Sequence, residues 1–148
     1  MKFIIWVNDS QATITSLVPT QIFDLLKSNC PAPVSLRAIV VGGAQLESDL
    51  YLRARAAGYP ILPSYGMTEC CSQIATANLS SLSEDQYPRL EVLSHIEVKK
   101  MAGGHLAIKS SALFTAHARW CVGESEEHLE VLWRAGTWYV TEDLGEIT

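Results

Sequence analysis

The first half of the chain alternates short apolar runs with segments of helical period. Ala12 to Val18 reads as a strand, and Pro19 suits a helix start, where its missing N–H costs nothing. Ile22, Leu25 and Leu26 follow at helical spacing until Asn29 to Pro33 interrupts them. Leu36-Arg37-Ala38-Ile39-Val40-Val41 is a nearly continuous apolar run, as expected of a strand covered on both faces, and Gly42-Gly43 ends it. A second helix carries Leu46, Leu50, Ala54 and Ala57 on one stripe, with Gly58 as its stop. Ile61-Leu62 then opens a third strand. Strands joined by helices in this order predict a parallel sheet with crossover helices.

After the polar stretch Ser80 to Gln86 the period becomes twofold. Ile96 and Val98 alternate with Glu97 and Lys99, and Leu106 and Ile108 with Ala107 and Lys109; Ala102-Gly103-Gly104 between them predicts a β-hairpin. Leu129, Val131 and Trp133 alternate as well, and Arg134-Ala135-Gly136 leads into Thr137-Trp138-Tyr139-Val140. The fold class expected is therefore α/β over residues 1–80, followed by a small antiparallel, barrel-like or sandwich-like β lobe over 81–148. Trp120, Trp133 and Trp138 are expected in the core of that lobe. The acidic run Glu124-Ser125-Glu126-Glu127 is expected to be a solvated turn.

Composition narrows the function. The 148 residues are 48% hydrophobic and 18% charged, so a buried core is expected and disorder is not. A net charge of −5, without any Lys/Arg-rich stretch, argues against nucleic acid or an anionic membrane surface as partner. The apolar run at residues 3–7 is too short for a signal-peptide core or a membrane span. Cys30, Cys70, Cys71 and Cys121 contain no Cys-x-x-Cys, which suggests neither zinc nor a disulfide framework and fits a reducing cytoplasm. His95, His105, His117 and His128 lie far apart without ligand spacing, and Cys70-Cys71 reads most simply as buried packing.

The stretch richest in chemistry is Pro63-Ser64-Tyr65-Gly66-Met67-Thr68-Glu69. It stands after the third predicted strand, at the carboxyl end where open parallel sheets place ligands. Tyr65 offers a flat face for a purine, Gly66 a close backbone approach, Thr68 a hydroxyl for a phosphate oxygen, and Glu69 a hard oxygen ligand for Mg²⁺. The plainer alternative makes Thr68 a helix cap with Glu69 in the first turn. Gly42-Gly43-Ala44 admits a ligand or simply turns the chain; neither phosphate-binding glycine signature occurs. Asp143 follows a predicted strand and serves either a ribose or a turn.

Four motifs in order resemble the adenylate-forming superfamily of acyl-CoA ligases, luciferases and peptide-synthetase adenylation domains. Tyr65-Gly66-Met67-Thr68-Glu69 matches its Tyr-Gly-x-Thr-Glu signature, with Gly42-Gly43-Ala44 at the usual distance upstream. Gly104-His105-Leu106-Ala107-Ile108 is similar to its Gly-Glu-Leu-x-Ile strand, and Trp138 to Gly145 to its Trp-Tyr/Phe-x-Thr-Gly-Asp-Leu-Gly segment. Within the superfamily, Ser16 to Gln21 and Ser72-Gln73-Ile74 resemble most the o-succinylbenzoate–CoA ligases of menaquinone biosynthesis. The resemblance implies a ligand cleft between an α/β part and a β lobe. It implies an AMP-forming acid–CoA ligase acting on a small carboxylic acid with ATP, Mg²⁺ and CoA. Thr68 and Glu69 would be catalytic, with Glu69 holding Mg²⁺. Gly42, Gly43, Ala44, Tyr65, Gly66, Met67, Thr68 and Asp143 would bind the nucleotide, and Ser72 and Gln73 would lie near the acyl group.

The departures also count. The family's phosphate loop and C-terminal lid have no counterpart in these residues; Glu142 stands where the family has Gly, and His105 where it has Glu. The expectation is a fragment that does not turn over alone. A non-catalytic nucleotide- or acyl-binding or scaffold piece, prone to self-association, is the alternative.

Overall fold

The computed structural model describes residues 2–122 and 127–147. The chain forms two compact units, each built from two stretches of sequence. One comprises residues 1–66 and 73–93, the other 67–72 and 94–148.

In the first unit, β1 (Ile14–Leu17), β2 (Ala38–Val41) and β3 (Ile61–Met67) form the parallel part of a five-stranded sheet completed by β4 (Ser72–Ala77) and β5 (Leu90–Val92), in the order β1-β2-β3-β4-β5. Ile14–Leu17 run beside Ala38–Val41, and Ile39–Val41 beside Ile61–Pro63. Helix α2 (Pro19–Lys27) joins β1 to β2, and α3 (Ser48–Ala56) joins β2 to β3. The expected parallel sheet with crossover helices is thus present. Pro19 takes the first turn of α2, and the Gln21 side-chain oxygen accepts the Val18 N–H at 2.9 Å. Gly58 closes α3 with φ +84°, a conformation that glycine adopts without strain.

The nearly continuous apolar run at residues 36–41 is explained by cover on both faces. Ile39, Val41 and Ile61 pack with Ile22, Tyr51 and Tyr59 on one side; Ala38 and Leu62 pack with Ala77, Leu82 and Leu90 on the other. An N-terminal helix, α1 (Lys2–Ser10), also joins this core through Val7, with Phe3 and Ile4 packed against it. The apolar run at residues 3–7 lies within this helix. Among the described residues, no helix is long and apolar enough to cross a membrane.

The second unit is antiparallel. The hairpin β6 (Glu97–Lys100) and β7 (His105–Lys109) forms as expected, with Gly103 and Gly104 at φ +85° and +88°. On its other side β7 pairs with β10 (Tyr139–Leu144). A separate two-stranded ribbon joins β8 (Ala116–Val122) to β9 (Glu127–Trp133). The described strands thus make an open three-stranded sheet and a ribbon, with no closed barrel among them.

The tryptophans depart from expectation. Trp120 and Trp133 are 59% and 73% exposed, because a two-stranded ribbon has no second layer to cover them. Trp138 is half-buried, with the Lys99 ammonium 4.1 Å from its ring centroid. Of the acidic run, residues 124–126 lie outside the described residues, and Glu127 opens β9.

Candidate functional site

Three parallel strands end together in the first unit, and the glycine pair sits at that end. The Gly42 N–H donates to the Leu17 carbonyl at 3.3 Å. The Ser64 hydroxyl donates to the Val41 carbonyl at 3.0 Å. A Cβ on Gly42 would stand 2.8 Å from Ser64 Oγ, so only glycine fits without moving that hydroxyl. Gly43 has φ +81°, and a Cβ there would meet Val18 at 3.3 Å. Gly42 is half-buried, whereas Gly43 and Ala44 are exposed.

The tyrosine motif is placed differently from the loop that its sequence suggested. Tyr65, Gly66 and Met67 are the last residues of β3, which overruns its parallel pairing with β2. Only Thr68, Glu69 and Cys70 leave the strand, as a single 3₁₀ turn. No helix follows, and Met67 occupies the cap position without a side-chain cap bond, which corrects the helix-cap alternative for Thr68. The turn ends at Cys71 with φ 52° and Ser72 with φ 107°, two non-glycine residues in the left-handed region, and β4 begins at once. Cys70 is buried, whereas Cys71 is exposed.

Within the second unit the turn is tied to the sheet. The Phe114 N–H donates to the Glu69 carbonyl at 2.7 Å, and the Phe114 ring meets Tyr139 edge-on at 5.2 Å. The Cys70 thiol bonds to Ser110, while burial raises its pKa. Thr68 is exposed and Glu69 half-buried; among the described residues the Glu69 carboxylate forms no ion pair.

Asp143 lies inside β10 rather than after a strand, at a register irregularity between Val140 and Leu144. Thr141 holds that irregularity. Its hydroxyl, 4% exposed for the residue as a whole, donates to the Leu106 carbonyl at 3.0 Å and accepts the Asp143 N–H at 3.1 Å. Exposed Asp143 therefore stands on a fixed backbone.

The Tyr139 phenol lies in the field of both acidic candidates. Its phenol pKa is raised, first by burial and then by the carboxylates of Glu69, Glu142 and Asp143. One phenol thus senses both the proposed magnesium ligand and the proposed ribose ligand, all within the second unit. Sequence reasoning assigned Tyr139 and Thr141 no role; their place inside the Trp138–Gly145 motif was the available signal. Ser72 is exposed and Gln73 half-buried at the start of β4.

The donor set bears on the metal. Among the described residues, no group of three or more His, Cys, Asp or Glu side chains is arranged to hold an ion. A lone carboxylate such as Glu69 fits Mg²⁺ only where substrate phosphates and water complete its shell.

A family model described as AMP-binding enzyme matches residues 2–100. The 2-succinylbenzoate–CoA ligase of Bacillus subtilis strain 168 is 40% identical over 70 residues, 47% of this chain and 14% of that protein. The corresponding ligase of Staphylococcus epidermidis is 38% identical over 87 residues, 59% of this chain and 18% of that protein. The B. subtilis o-succinylbenzoate CoA synthetase solved with ATP and magnesium ion superposes over 97% of this chain and 31% of its own, with TM-score 0.73 and 25% identity. The wild-type Escherichia coli MenE with a bound phenylether-linked analogue of OSB-AMS covers 93% of this chain and 28% of its own, with TM-score 0.65 and 25% identity. The aligned segments cover less than a fifth of the curated relatives' length, and the superposed chain less than a third of the solved enzymes'. With two thirds of its residues under the family model and the fold shared, the chain belongs to the AMP-binding enzyme family.

Proposed function

We propose that this chain is part of an AMP-forming acid–CoA ligase that activates o-succinylbenzoate, and that it supplies much of the adenylate half of the site. The carrying observation is the family match over residues 2–100, with Thr68 and Glu69 on a 3₁₀ turn and Asp143 in β10, each inside a family motif. The acyl identity rests on relatives whose names are 2-succinylbenzoate–CoA ligase.

In the overall reaction the substrate carboxylate attacks the α-phosphorus of ATP, and pyrophosphate leaves to give the acyl-adenylate. The thiol of CoA then attacks the acyl carbon, losing its proton, and AMP departs. Neither step needs a protein nucleophile; positioning and charge neutralisation carry the rate. Thr68 donates its hydroxyl to an α-phosphate oxygen. Glu69 would hold Mg²⁺, which offsets phosphate charge when bound; the ion is bound in the related B. subtilis structure. Asp143 accepts the ribose hydroxyls, and Tyr65 stacks on adenine. Gly42, Gly43, Ala44, Gly66 and Met67 line the nucleotide's path with backbone, while Ser72 and Gln73 face the acyl group. Cytoplasmic location agrees with four cysteines that all remain free thiols.

The 148 residues by themselves are not expected to complete turnover, and pyrophosphate exchange above background by the purified chain would refute that. The site is tested by calorimetric titration with a non-hydrolysable o-succinylbenzoyl-adenylate, with AMP for comparison. Saturable binding tighter than AMP, weakened about tenfold or more by Glu69→Ala in the presence of Mg²⁺ and by Asp143→Ala, is the expected result. Binding indifferent to both substitutions would sink the assignment. Self-association of the chain belongs to the same reading, because large apolar side chains stand exposed on the second unit.

A further inference from the structure

The β8–β9 ribbon is amphipathic in a way its own unit does not use. The register sets Ala116 opposite Trp133, Ala118 opposite Val131, Trp120 opposite Leu129 and Val122 opposite Glu127. Strand side chains alternate faces, so these four pairs share one face, apolar but for Glu127 at its end. The other face carries the pairs His117–Leu132, Arg119–Glu130 and Cys121–His128, with an ion pair between Arg119 and Glu130. Such alternation belongs to a strand pair with one face covered. Yet on the apolar face Trp120 is 59%, Val122 72%, Leu129 55%, Val131 40% and Trp133 73% exposed. A two-stranded hairpin is only marginally stable in water without a cover.

We infer that the cover is a second copy of this chain, and that the apolar faces of two ribbons pack against each other about a twofold axis. Area supports this occupant. The five exposed side chains present ~500 Å² of apolar surface. Two copies face to face therefore remove about 1,000 Å² from water, near the lower bound for a specific interface. Shape supports it too. The face is stepped, with Ala116 and Ala118 low on one strand beside Trp133 and Val131 high on the other. With the twofold axis parallel to the strands, β8 of one copy lies over β9 of the other, so each copy's Trp133 falls on the other's alanine corner. Charge adds no obstacle, since the face carries no Lys or Arg, and Glu127 lies at the ribbon end.

The proposal deepens the self-association reading above and is independent of adenylate binding. Sedimentation velocity of the 148-residue chain from roughly 1 to 200 µM tests it, alongside tryptophan emission over the same range. The expected result is a dimer that forms within this range, with Kd on the order of 10 µM, in keeping with weak complexes at the low end of interface size. Its formation should shift emission to shorter wavelength as Trp120 and Trp133 lose water. Trp133→Glu and, separately, Val122→Lys alter side chains that are mostly exposed in the single chain, and should raise Kd about 30-fold or more with far-ultraviolet dichroism unchanged. His117→Ser on the opposite face and Trp6→Glu on α1 should leave Kd unaltered. A wild-type chain that stays monomeric at ~200 µM overturns self-association itself and assigns the face to some other cover. A dimer that survives both ribbon substitutions, or that Trp6→Glu dissolves, overturns the ribbon while leaving self-association standing.

Discussion

Replacing Thr141 with Val isolates the polar support beneath Asp143. The two side chains have nearly the same shape, and Thr141 is buried, so the substitution removes little besides the hydroxyl. That hydroxyl donates to the Leu106 carbonyl at 3.0 Å and accepts the Asp143 N–H at 3.1 Å; the Asp143 carbonyl, at 3.4 Å, is a longer alternative acceptor. Losing one typical bond costs about 1 kcal/mol, and an acceptor or donor left dry costs about 1–3 kcal/mol. Two such losses, partly offset by the more apolar methyl, come to about 2 kcal/mol. For a chain of this length that corresponds to a fall in Tm of about 4–8 °C. Thr141→Ser keeps both bonds and gives up only a methyl group, at about 0.8 kcal/mol. The assay is urea unfolding of parent, Thr141→Val and Thr141→Ser, followed by dichroism. A Val variant within about 0.5 kcal/mol of the parent, or a Ser variant as costly as Val, would refute the assigned role of the hydroxyl.

Two further outcomes test other parts of the structure. Tyr139 has its phenol pKa raised by burial and then by Glu69, Glu142 and Asp143, so its neutral form is favoured by folding. Its contribution to stability is complete below the unfolded value near 10 and is lost as pH rises through the higher folded value. The unfolding midpoint should therefore fall above about pH 10, less steeply in Tyr139→Phe. Glu142→Gln should move one tyrosinate step, read by absorbance near 295 nm, to lower pH; an unmoved titration would show that Glu142 does not face the phenol. At the strand ends, Gly42→Ala pushes a Cβ to 2.8 Å from Ser64 Oγ and should break that hydroxyl's bond to Val41, costing about 1 kcal/mol. In the Gly42→Ala/Ser64→Ala double variant the penalties should fall short of additive by a similar amount, and strict additivity would argue against the contact.

The parallel sheet was legible because its determinants are local. Pro19, the apolar run at 36–41 and the stop at Gly58 each act through a few neighbouring residues, and the Ala102–Gly104 turn does the same for the hairpin. Helix α1 was not legible, since Phe3 to Val7 are all apolar and blur any period until one knows that Val7 is the residue buried. Strand β4 was hidden for a related reason. The reversal before it uses Cys71 and Ser72 in left-handed conformations, where a glycine would have announced the turn. Alternation along β8 and β9 identifies an apolar face but cannot tell whether anything lies over it, and the two ribbon tryptophans were misjudged on that account. At the candidate site, Thr68, Glu69 and Asp143 are named from motif chemistry alone. Tyr139 is not marked in the same way, because Glu69, one of the carboxylates that raise its pKa, comes from a distant position in the chain.

The interleaving of the two units has a consequence for the order of events as the chain leaves the ribosome. Residues 67–72 are synthesised in the midst of the first unit's sequence but belong to the second. The turn that carries Thr68 and Glu69 finds its partners only when Ser110 and Phe114 emerge, after β4, β5, β6 and β7 have been made. Contacts of such long sequence separation close late in folding, whereas β1, α2 and β2 can pair as soon as they are exposed. The part of the chain with the most chemistry is thus among the last to be fixed, and a nascent chain halted near residue 93 would hold the Tyr65–Glu69 signature without the β7–β8 connection that ties its turn down.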